Sequence, residues 1–74
     1  MKTTPMELWL VTFDGKSVQV PAQDKLQATH RGAVLLGVRW RETAAQMDVL
    51  RLRKASQRDM AAYEKERGTH DEAD

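Results

Sequence analysis

The side chains able to do chemistry in this chain are scattered rather than clustered. His30 and His70 have no ligand-type partner at helical spacing, and a metal site needs three or four convergent ligands, so both are expected to be solvated. The glycines at 15, 32, 37 and 68 fall in different segments, which leaves no Gly-rich loop to cradle a phosphate. Asp71-Glu72-Ala73-Asp74 matches a helicase motif in its letters, but neither a buried strand nor a phosphate loop precedes it. Ser17, Ser56 and the threonines have no evident base beside them. No catalytic residue, metal or cofactor is therefore expected, and a non-enzymatic role follows.

The one pattern with functional promise is basic. Residues 37–58 hold six Lys or Arg against two acidic residues, and from residue 59 onward the balance reverses to two against six. Arg51 and Arg53 are expected to project from one side of an edge strand, with Arg39, Arg41 and Lys54 nearby in sequence. Such a patch could track phosphates. Charges on an edge strand also guard against sheet-to-sheet aggregation, and the acidic C-terminus could satisfy the same arginines. A protein partner, either a second copy or another chain, is the preferred expectation. Weak nucleic-acid binding is the alternative.

With 74 residues, no cysteine and a net charge of +1, the chain makes one small domain without disulfide or thiolate support. It lacks an apolar run of signal-peptide or membrane-spanning length, which fits a soluble protein of the reducing cytoplasm.

The elements that must position these side chains begin with a hairpin. Trp9, Val11 and Phe13 face Val18 and Val20 across Asp14-Gly15, a pair suited to the two-residue turn that needs positive φ at both positions. Phe13 then lies opposite Lys16, Val11 opposite Val18 and Trp9 opposite Val20. Pro21 is expected to end the second strand. Asp24 and Gln27 have capping-box spacing and Gly37 is a natural stop, so a helix spans the interval. Its arc of Leu26, Ala28, Thr29, Gly32, Ala33, Leu35 and Leu36 should pack on the sheet, with Gly32 permitting close approach.

Val38 and Trp40 alternate with Arg39 and Arg41 as in a short extended segment, and Glu42 to Gln46 could form one helical turn. Residues 47–54 are good helix formers and could join a long helix from Thr43 to Arg67. Their apolar residues scatter on a wheel but alternate as a strand, which favours a third strand beside the first. Ser56 and Asp59 then cap a helix over about residues 57–67 that Gly68 stops. The fold expected is α+β, of ββαβ order, with a three-stranded antiparallel sheet in the order 2-1-3, one packed helix and a C-terminal helix. Residues 1–56 form the domain, 57–68 the last helix and 69–74 a disordered acidic tail.

A central first strand explains why Leu8 and Leu10 are apolar opposite Trp9 and Val11. Either the C-terminal segment or another molecule must cover them. Leu8, Leu10, Trp40, Met60 and Tyr63 are the candidate apolar interface residues, with Trp40 serving mainly as a core anchor.

The hairpin from Leu8 to Val20, the helix segment Gln27-Ala28-Thr29-His30-Arg31-Gly32-Ala33 and the stop Leu36-Gly37-Val38-Arg39-Trp40 together resemble small uncharacterised open reading frames of bacterial phages and integrative mobile elements. The resemblance covers about residues 7–54. It implies a genetic setting and carries over no catalytic residue.

Overall fold

A computed structural model describes residues 5–69 of the chain. The tail expected over 69–74 lies outside them, apart from the backbone of residue 69.

Strands β1 (Glu7–Phe13) and β2 (Lys16–Ala22) form the hairpin in the expected register, with Val11 across from Val18 and Trp9 from Val20. Asp14 (φ 53°) and Gly15 (φ 77°) both take the left-handed conformation that this turn demands. Pro21 does not end β2. It lies buried inside the strand, because β2 is an edge and the Pro21 carbonyl points away from β1 to accept a 2.7 Å hydrogen bond from Arg31. The N–H that proline lacks would have faced the same unladdered side.

Helix α1 (Lys25–Leu36) starts at Asp24, whose carboxylate accepts from the Gln27 backbone N–H at 2.8 Å. The Gln27 side chain reaches one residue beyond the cap, accepting from the Gln23 N–H at 2.7 Å. Gly37 closes the helix at φ 73°, its N–H bonded to the carbonyls of Ala33 and Val34. Ala28, Thr29, Gly32, Ala33 and Leu35 are buried against the sheet. Leu26 departs from the expected arc and is 63% exposed.

The alternation over residues 38–41 does not make a strand: Arg39 is extended at φ −82° and ψ 120°, but Trp40 and Arg41 turn into a helix. Trp40–Thr43 form a short helix, α2, followed by a 3-10 turn over Ala44–Gln46. The Arg39 carbonyl fixes this corner by accepting from the backbone N–H groups of Glu42 and Thr43 and from the Thr43 hydroxyl at 2.8 Å. Local polar bonds of this kind override a short alternating pattern.

Strand β3 (Asp48–Lys54) excludes the long-helix alternative and pairs antiparallel with β1, giving a sheet in the order β2-β1-β3. Helix α3 (Gln57–Thr69) follows, and Gly68 lies in its last turn rather than beyond it. Ser56 and Asp59 form the reciprocal cap: the Ser56 N–H donates to Asp59 Oδ2 at 2.8 Å, and the Asp59 N–H donates to Ser56 Oγ at 3.2 Å.

The core lies between α1 and one sheet face. Val11, Val20, Ala22, Ala28, Ala33, Leu35 and Met47 are buried there, with Trp9, Phe13, Val18, Leu36, Val38, Trp40 and Val49 packed around them, and Tyr63 of α3 joins the same buried cluster. Leu8, on the opposite face, is 3% exposed and lies beside Gln19 and the α3 residues Asp59, Ala62, Tyr63 and Glu66. The C-terminal helix is thus what covers Leu8. No helix among the described residues is long and apolar enough to cross a membrane.

Candidate interaction surface

The two edges of the sheet differ. The β2 edge carries Pro21, is bridged by Arg31 and has α3 packed against it. Arg31 also places its guanidinium 5.0 Å from the centroid of the Tyr63 ring, so a single side chain ties α1, β2 and α3 together. Nothing in the sequence pattern singled out Arg31, because its role depends on where α3 docks.

The β3 edge is open. Val49 is half-buried, while every other residue of the strand is exposed, including Leu50 at 60% and Leu52 at 41%. Leu50 sits across from the half-buried Leu10, making an apolar strip that α3 does not cover. A β-bulge interrupts the β1–β3 ladder: Trp9 pairs with Arg51 and Leu8 with Arg53, leaving Leu52 as the extra residue. Because Trp9 and Leu8 leave opposite faces of β1, so do Arg51 and Arg53. This overturns the expectation that the two arginines share one side.

Both arginines find carboxylates within the chain. Arg51 pairs with Glu7 at 3.3 Å, and Arg53 makes two hydrogen bonds to Asp59 at 2.7 and 3.2 Å. The hydrogen bond from Arg53 and the second one from the Ser56 backbone pull the Asp59 carboxyl down to about 2, and the same contact raises Arg53. Arg39 lies 3.5 Å from Glu42 at the α2 corner. Arg41 and Lys54 make no ion pair with any described residue. The five cations do not form one continuous face. Arg39 and Arg41 belong to the corner after α1, while Arg51, Arg53 and Lys54 belong to β3.

The apolar candidates divide as well. Leu8 and Tyr63 are buried in the fold, Tyr63 at 5% exposure, and so do not belong to an open surface. Burial pushes the Tyr63 phenol above its ordinary value, with the nearby Arg31 and Arg67 opposing that shift. Met60 and Leu10 are half-buried. Trp40 packs on the core and stacks on His30, their ring centroids 4.5 Å apart with 26° between planes. Its indole Nε1 is buried without an acceptor, whereas that of Trp9 donates to the Ala22 carbonyl at 3.1 Å. His30, Trp40, Arg39, Arg41 and Glu42 border an open hollow of about 650 Å³. Among the described residues, no group of three or more His, Asp or Glu could hold a metal ion.

The leucines the sequence reading left out, Leu50 and Leu52, are the large apolar side chains most exposed after Leu26. Their alternation was visible, but whether a third layer covered that edge depended on the path of α3. No protein-family model, curated protein or solved structure matches the chain.

Proposed function

We propose that this chain is a non-enzymatic accessory protein, in the phage or mobile-element setting its sequence pattern resembles, that works by engaging a protein along β3. The observation that carries this reading is the asymmetry of the sheet. One edge is closed by Pro21, Arg31 and α3, while the other presents Leu50 and Leu52 with its backbone groups unladdered. An edge strand with exposed leucines is a template for main-chain pairing with another strand.

Phosphate tracking is the weaker alternative. Arg39, Arg51 and Arg53 each have an acidic partner within the chain, and a phosphate would have to compete for them. Arg41 and Lys54 lie on separate elements and offer little cooperative charge.

Incorporating a photo-crosslinking side chain at position 50, with position 27 on α1 as control, tests the reading in the producing cell. A discrete protein adduct specific to position 50 is expected. Adducts to nucleic acid, or equal labelling from both positions, would contradict it.

A further inference from the structure

The hollow of about 650 Å³ at the corner between α1 and α2 takes none of its lining from β3, so it is a second surface, separate from the strand edge. Part of its lining is apolar where α1 would ordinarily be polar. Val34 follows the exposed His30 by one helical turn on the same face of the helix and is itself only half-buried. Val38 continues the apolar lining past Gly37. His30 stacks on Trp40 with 4.5 Å between ring centroids, so the pair adds an aromatic wall to the same hollow. Cations flank Trp40 in the chain on both sides. Arg41 has no acidic partner among the described residues, and Arg39 keeps only a 3.5 Å contact with Glu42 in which the two side chains are 85% and 67% exposed.

We propose that this hollow binds a small planar aromatic anion, its ring laid against Val34 and the His30–Trp40 pair and its carboxylate or phosphate held by Arg41. Each part of the lining selects one part of the ligand. An aromatic wall beside aliphatic side chains favours a flat apolar body that can stack offset on a ring. A guanidinium favours a carboxylate or phosphate, which it grips with two parallel hydrogen bonds. Arg41 is better placed for this than Arg39 because it has no carboxylate to give up. Arg39 and Arg41 outweigh Glu42, so a cationic ligand is disfavoured. The volume falls in the range of small-ligand sites, about 300–1,000 Å³. The indole Nε1 of Trp40, buried without an acceptor, adds to the argument: an unpaired donor is a standing cost to the fold, and it belongs to a ring in the wall of this hollow.

Proton–nitrogen correlation spectra of the full chain titrated with naphthoate test the site, because the chain has two tryptophans and only Trp40 lines the hollow. The Trp40 indole N–H should shift progressively, with an affinity of about millimolar for a probe of this size in an open hollow. The Trp9 indole N–H, held by the Ala22 carbonyl at 3.1 Å, should not move. Naphthamide, which has the same ring without the charge, should bind about fivefold more weakly or worse. Arg41→Gln should weaken naphthoate about tenfold and leave naphthamide unchanged. Arg41 is exposed, so this variant should stay folded, and the rest of its spectrum reports that directly. Adenosine monophosphate distinguishes the source of the anion: tighter binding than naphthoate assigns a nucleotide, weaker binding an aromatic carboxylate. Equal shifts of both indoles, equal affinity for naphthoate and naphthamide, an Arg41→Gln variant that binds naphthoate unimpaired, or no Trp40 shift with either anion would overturn the proposal. None of these readouts involves β3, so failure here leaves protein engagement along that strand untouched.

Discussion

Gly32 of α1 rests directly on Val11 of β1, so close that a Cβ at position 32 would lie 2.5 Å from Val11 Cγ1 and 2.6 Å from its Cβ. The contact fixes how near the helix lies to the sheet, and the branched, fully buried Val11 has little freedom to yield. Gly32→Ala gains about 1 kcal/mol of helix propensity but meets an overpacking cost of about 1–3 kcal/mol. Net destabilisation is expected in urea unfolding. In a Val11→Ala background the same change should cost less, giving a clear coupling between the sites. Additive effects would mean that helix and strand are farther apart than described.

Arg31 is expected to matter more than its half-exposed position suggests. Arg31→Met keeps much of the stem but removes the hydrogen bond to the Pro21 carbonyl and the cation over Tyr63. A loss of about 1.5–3 kcal/mol is expected from the charged hydrogen bond alone, measured as a shift of the urea midpoint. Amides of α3 should exchange faster in this variant. Unchanged exchange there would show that α3 docks without Arg31.

The Arg53–Asp59 contact gives stability a specific pH dependence. Asp59 falls from an ordinary 3.8 to about 2 in the folded chain, so the unfolded chain takes up its proton first as pH drops. The contribution is complete above about pH 4 and is lost as pH falls through about 2. Asp59→Asn should flatten the stability profile in that window. An equally steep profile in the variant would assign the acid sensitivity to other carboxylates.

The parts of the fold legible from sequence were those set by local chemistry. Asp14-Gly15 and the period-two apolar residues dictated the hairpin register, Asp24 and Gly37 bounded α1, and Ser56 with Asp59 capped α3. The alternation in 47–54 marked β3, and with it the 2-1-3 order, but not its bulge. Which residue of β3 is the extra one is decided by tertiary pairing with β1, so the divergence of Arg51 from Arg53 could not be read in advance. Trp40 misled for a different reason: Val38 to Arg41 alternate like a strand, yet the Arg39 carbonyl gathers three donors into a helical corner. The candidate surface was half visible. The arginines stood out by charge, whereas the exposure of Leu50 and Leu52 followed only once α3 was seen to cover Leu8 and stop short of β3.

Residue-resolved amide exchange and chemical shifts, recorded with and without the protein crosslinked from position 50, test most directly whether β3 is the edge at which a protein binds. Binding should bring protection and shifts concentrated on Asp48–Lys54, with β2 and the His30–Trp40 corner unchanged. Protection unaltered by that protein, or shifts centred on β2 or on Arg39 and Arg41, would contradict this reading of β3.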